Sequence, residues 1–76
     1  MERYHFKTDD QSDARGIELA SLAAVKCEAG KVMASIVCES ADEPWQRSEW
    51  TVTVTDDRGA KVLQLQIVGT EVGADN

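Results

Sequence analysis

Two cysteines, one histidine and a short run of aspartates are the residues of this 76-residue chain best suited to chemistry. Cys27 and Cys38 stand eleven positions apart in a segment whose apolar residues recur at helical spacing. Eleven residues of helix rise ~16 Å, and a disulfide needs Cα atoms within about 7 Å. An intrachain bridge is therefore excluded while the helix holds. A thiolate nucleophile would need a base beside it, and His5 is the single histidine. Those three residues also lack any recognised metal-ligand spacing. Asp9, Asp10 and Asp13 resemble a calcium loop only loosely, because Gln11 breaks the alternation of oxygen ligands and the glycine, Gly16, comes too late. The chain contains no glycine-rich phosphate loop, nucleophile elbow or paired catalytic carboxylates. The expectation is a protein that is not an enzyme, with no catalytic, cofactor-binding or metal-binding residues and no cofactor.

Whether His5 reaches either thiol depends on the elements that carry them. Residues 3–8 alternate strictly, with Tyr4 and Phe6 on one side and Arg3, His5 and Lys7 on the other, as in a half-buried strand. Asp9 to Gly16 form a polar turn region, and Ile17-Glu18-Leu19 is a candidate short second strand. Ser21 is a plausible helix N-cap. After it, Leu22, Val25, Ala29, Val32, Met33 and Ile36 fall at spacings of three and four, one stripe of a helix. Lys26 flanks that stripe. The pattern fades at Glu39, and Pro44 bars any continuation. Trp45 to Ser48 read as a loop, with Trp45 over an edge of the core.

Trp50, Val52 and Val54 then alternate with Thr51, Thr53 and Thr55, and Leu63, Leu65 and Ile67 with Gln64 and Gln66. The intervening Asp56-Asp57-Arg58-Gly59 makes this a hairpin. A turn of even length sets Val52 opposite Leu63 and Trp50 opposite Leu65, whereas a three-residue turn would set Val52 opposite Gln64. The even turn is expected, because a slip of one residue exposes the whole apolar set. The predicted class is α+β, in β(β)αββ order, with one amphipathic helix on one face of a three- or four-stranded antiparallel sheet. Residues 1–68 form the single domain and 69–76 a flexible C-terminal tail. The inward set is Tyr4, Phe6, Leu19, the helix stripe, Trp50, Val52, Val54, Leu63, Leu65 and Ile67. These layers put His5 on the outer side of the sheet and both cysteines on the far side of the helix, so no dyad forms.

Two surfaces remain. Ala23, Cys27, Gly30, Ala34 and Cys38 form a stripe of small residues opposite the apolar one. Gly30 within a helix costs ~1 kcal/mol relative to alanine, and such a stripe allows a second helix to approach closely, so it is the candidate dimer interface. The outer sheet face gathers Arg3, His5 and Lys7 beside Thr51, Thr53, Thr55, Gln64 and Gln66, a candidate polar binding face for an acidic peptide or a single strand. It lacks the stacking aromatics of single-strand binders, and a polar outer side is ordinary in antiparallel sheets.

Composition narrows the partners. Apolar residues make up 42% and charged residues 29%, a globular balance, with a formal net charge of −6. That sign repels phosphate backbones and anionic lipids, so nucleic acid is an unlikely partner and membranes are not expected. The first residues, Met1-Glu2-Arg3-Tyr4-His5, show no apolar core of a signal peptide. No run approaches the ~20 apolar residues that span a bilayer. The expected compartment is the cytoplasm. A chain this short buries only about 60–65% of its unfolded surface, and without disulfides self-association is the usual remedy.

Arg3-Tyr4-His5-Phe6, Gly16-Ile17-Glu18-Leu19 before an alanine-rich helix, and Trp50 to Gly59 with its Val54-Thr55-Asp56-Asp57-Arg58-Gly59 turn resemble a family of short bacterial proteins of unknown function. The likeness runs from about Arg3 to Ile67, with departures at Asp9-Asp10-Gln11-Ser12 and at Ser21. It implies the fold above and carries no activity or site residue. A fainter likeness is to HicB-type antitoxin domains. The leading functional expectation is a non-catalytic protein-interaction module, pairing with itself as a homodimer or with another protein. The alternative is an antitoxin-like or regulatory nucleic-acid-associated protein of the HicB type.

Overall fold

The computed structural model describes residues 2–8 and 16–73. The strictly alternating segment Glu2–Lys7 is strand β1, and Ile17–Leu19 forms the short β2. Helix α1 spans Leu22–Glu39. Ser48–Asp56 form β3 and Lys61–Gly69 form β4. The four strands make one antiparallel sheet in the order β2-β1-β3-β4. With α1 packed on one face, the α+β class and the β(β)αββ order hold, the optional second strand included.

The helix ends where its local chemistry dictates. Ser21 is extended (φ −154°, ψ 163°), and its Oγ accepts the Ala24 N–H at 3.1 Å, satisfying a donor that the first turn leaves without a partner. At the other end the Ser40 N–H donates to the Ile36 and Val37 carbonyls at 3.2 and 3.1 Å. Among the described residues no helix is long and apolar enough to cross a membrane.

Val25, Ala29 and Met33 pack against Phe6, Val52 and Val54 to form the buried core. Tyr4, Leu19, Val32, Ile36, Trp50, Leu63 and Leu65 close around it, half-buried. Two expected members do not join. Leu22, the first residue of α1, is 50% exposed, and Ile67 is 37% exposed. Leu22 lacks a preceding turn to shield it. Ile67 lies on the edge strand, whereas α1 sits chiefly over β3. Ile17, Val37 and Val62, outside the expected set, pack against the core instead.

The hairpin corrects the register argument. Asp56 and Ala60 face each other across Asp57, Arg58 and Gly59, with the Asp56 N–H donating to the Ala60 carbonyl at 3.0 Å and the Gly59 N–H to the Asp56 carbonyl at 3.0 Å. The turn is therefore the three-residue one that parity disfavoured. Gly59 takes the left-handed conformation (φ +84°) that this loop needs. Asp56 Oδ1 braces it by accepting the Arg58 and Ala60 N–H groups at 2.9 and 3.0 Å. Parity is restored two residues on. Thr55 pairs with Lys61 but Val54 with Leu63, so Val62 is an extra residue, a bulge. Beyond it Val52 meets Leu65 and Trp50 meets Ile67. Apolar faces apolar as expected, through different partners.

The far end of the hairpin is held by tryptophans. Trp45 and Trp50 meet edge to face, with centroids 5.4 Å apart and planes at 72°. The Trp45 indole Nε1 donates to the Ser40 carbonyl at 3.1 Å. The Glu71 N–H donates to the Trp45 carbonyl at 2.9 Å, and the Trp45 N–H to Glu71 Oε2 at 2.9 Å. Ordered pairing thus extends through Gly69 to Glu71, past the start of the expected tail. Gly69 lies against both rings. A Cβ there would stand 3.0 Å from Trp45 Cε3 and 3.0 Å from Trp50 Cζ3. Gly69→Ala is expected to cost about 1–2 kcal/mol by forcing the rings apart, read as a lower urea midpoint together with a change in tryptophan fluorescence.

Candidate functional site

The layers keep the reactive residues apart. Cys27 and Cys38 are free thiols on the exposed side of α1. His5 pairs with Thr55 on the side of the sheet away from the helix. Asp9, Asp10 and Asp13 lie outside the described residues. Among the described residues no group of three or more His, Cys, Asp or Glu side chains is placed to hold a metal ion.

The outer sheet face brings together every residue expected on it. Antiparallel register places opposed residues on the same side of the sheet. Arg3 lies opposite Glu18, His5 opposite Thr55 and Lys7 opposite Thr53. Across the hairpin Thr51 meets Gln66, Thr53 meets Gln64 and Thr55 meets Lys61. Gln64 Nε2 donates to Thr53 Oγ1 at 3.2 Å.

This face has two unlike halves. At one end Arg3 Nη2 is 3.2 Å from Glu18 Oε2, and His5 Nε2 is 3.0 Å from Asp57 Oδ1. They border an open depression of about 280 Å³ lined by Glu2, Arg3, Glu18, Asp56, Asp57 and Arg58. Four carboxylates against two guanidinium groups leave that end negative. The other half is a shallow trough of about 410 Å³, lined by Lys7, Thr8, Thr51, Thr53, Thr55, Gly59 and Lys61, with no acidic side chain.

Among the contributors that sequence reasoning missed are Glu18, Asp57 and Lys61. Glu18 was legible, since its apolar neighbours Ile17 and Leu19 send it outward. Asp57 was not, because a turn residue has no strand parity. Lys61 was hidden by the Val62 bulge: counted back from Leu63 by strict alternation it would point inward.

The small-residue stripe lies as expected on the solvent side of α1, with Ala23, Cys27, Gly30, Ala34 and Cys38 all exposed. A Cβ at Gly30 would meet nothing within 4 Å. The fold itself therefore makes no use of the close approach that this glycine permits.

Comparison with known proteins places the chain in a family. The model of the family described as "Domain of unknown function (DUF6894)" matches residues 3–68, and the chain belongs to this family. No curated protein and no solved structure matches it. The family description agrees with the expected membership of an uncharacterised family and names no activity.

Gly16 positions the ionic end of the face. Its φ is +75°, and a Cβ there would lie 2.8 Å from both Arg3 Cγ and His5 Cε1. Gly16→Ala is expected to lose about 1–3 kcal/mol and to move the His5 ring resonances in NMR spectra. A variant with wild-type stability and unmoved His5 signals would show that this packing has no consequence.

Proposed function

We propose that this member of the family is a non-catalytic protein-interaction module that works as a homodimer in the cytoplasm. The observation that carries the reading is apolar surface left open on a very small core. The buried cluster consists of Phe6, Val25, Ala29, Met33, Val52 and Val54, while Leu22, Ile67, Val68 and Val72 are exposed. A second copy would bury part of that surface and add stability that so short a chain cannot draw from its own interior. The separation of His5 from both thiols supports a binding role over a catalytic one. Two free, exposed cysteines suit a reducing compartment.

A second reading, an antitoxin-like or regulatory nucleic-acid partner, has one feature in its favour: the trough between Lys7 and Lys61 has no lining carboxylate. Against it stand the net charge of −6 and the acidic groups that offset Arg3 and His5. It requires salt-sensitive shifts of the Lys7, Thr53 and Lys61 resonances on titration with oligonucleotides.

The homodimer predicts a light-scattering mass of twice the 8.3 kDa chain mass. A monomer persisting at ~1 mM, where an association free energy of only about −4 kcal/mol would already half-populate the dimer, would overturn it.

A further inference from the structure

Resting on the homodimer reading above, we infer that two copies join edge to edge through β4, merging two four-stranded sheets into one of eight, and that the small-residue stripe of α1 is not the contact. The sheet has two outer strands, β2 and β4. A strand with one unpaired side presents a row of backbone donors and acceptors to any matching strand. β2 offers three residues. β4 offers nine, Lys-Val-Leu-Gln-Leu-Gln-Ile-Val-Gly, and among the described residues its pairing is with β3.

Edge strands are normally protected by charge, proline, brevity or a bulge. β4 has a single charged residue, Lys61, and no proline, and its bulge sits at Val62 beside that lysine. Leu63 to Gly69 are left regular and uncharged, with Ile67 37% and Val68 52% exposed. The chain carries a net charge of −6, so two copies repel each other in general. β4 contains no acidic residue and gives them a side on which to approach.

The edge is also complementary to itself. A two-fold axis through Leu65 pairs the regular residues Leu63 to Ile67 of both copies antiparallel. Leu65 meets the partner's Leu65, Leu63 meets the partner's Ile67, and Gln64 meets the partner's Gln66. Apolar side chains continue the inner face, amides continue the outer face, and no like charges are opposed. Both helices then lie on the same side of the joined sheet. Ala23, Cys27, Gly30, Ala34 and Cys38, on the far side of α1, take no part.

The test is the self-association constant of the full chain, by sedimentation equilibrium, in four forms. Gln64→Glu with Gln66→Glu places like charges opposite each other across the seam and is expected to weaken the dimer about tenfold or more. Gln64→Lys with Gln66→Glu places opposite charges there and is expected to restore it. Both variants lose the Gln64 to Thr53 hydrogen bond, so each controls for the fold of the other. Ala34→Glu on the helix stripe is expected to leave the constant unchanged. A dimer unmoved by the double glutamate change, whether or not Ala34→Glu splits it, overturns the edge pairing and leaves the homodimer reading standing. A wild-type monomer overturns both.

Discussion

Six side chains set the terms for the rest of this structure: Val25, Ala29 and Met33 on the helix against Phe6, Val52 and Val54 on the two central strands, each no more than 5% exposed. Burying this surface is the main force holding α1 to the sheet. Ala29 lies within one turn of both Val25 and Met33, and its lack of bulk lets their longer side chains reach the strands. With the inner face taken up, period-two alternation turns Arg3, His5, Lys7 and the β3 threonines to the other side, and the helical period turns both cysteines away from the sheet. The same contact that builds the fold distributes its chemistry.

That distribution leaves His5 and the two thiols on opposite sides of the two layers. Reactive groups on opposite sides of a two-layer domain cannot converge without unfolding it. The outer face has polarity but little enclosure: its acidic end is open and only partly compensated by Arg3 and Arg58, and its basic trough is shallow and open. At the β4 edge, by contrast, a strand paired on one side only among the described residues and exposed apolar side chains coincide. An edge of that kind selects its partner by backbone geometry first and by side-chain register second.

Some features were legible because their causes are local. Ser21 caps its own first turn. The stripe from Val25 to Ile36 names one face of a helix, and Tyr4 and Phe6 name one face of a strand. Leu22 and Ile67 belong to the same patterns yet stay exposed, because a pattern shows direction and not whether anything lies in that direction. The hairpin shows a subtler limit. Parity correctly demanded apolar opposite apolar, but the demand was met by a three-residue turn compensated by the Val62 bulge, and two compensating irregularities leave no trace in a count of alternations. Lys61 was missed for the same reason, and with it one wall of the trough.

The amino-acid sequence alone determined which segments are helix and strand, which side of each is apolar, and hence that His5 and the thiols stay apart, because these follow from periods contained within single segments. Tertiary structure decided that β1 lies between β2 and β3 and that β4 is left at the margin. It also decided that Trp45, Trp50, Gly69 and Glu71 close the far end of the hairpin. Those outcomes depend on which distant segments bury the most surface together, a competition among long-range pairings that no local repeat records.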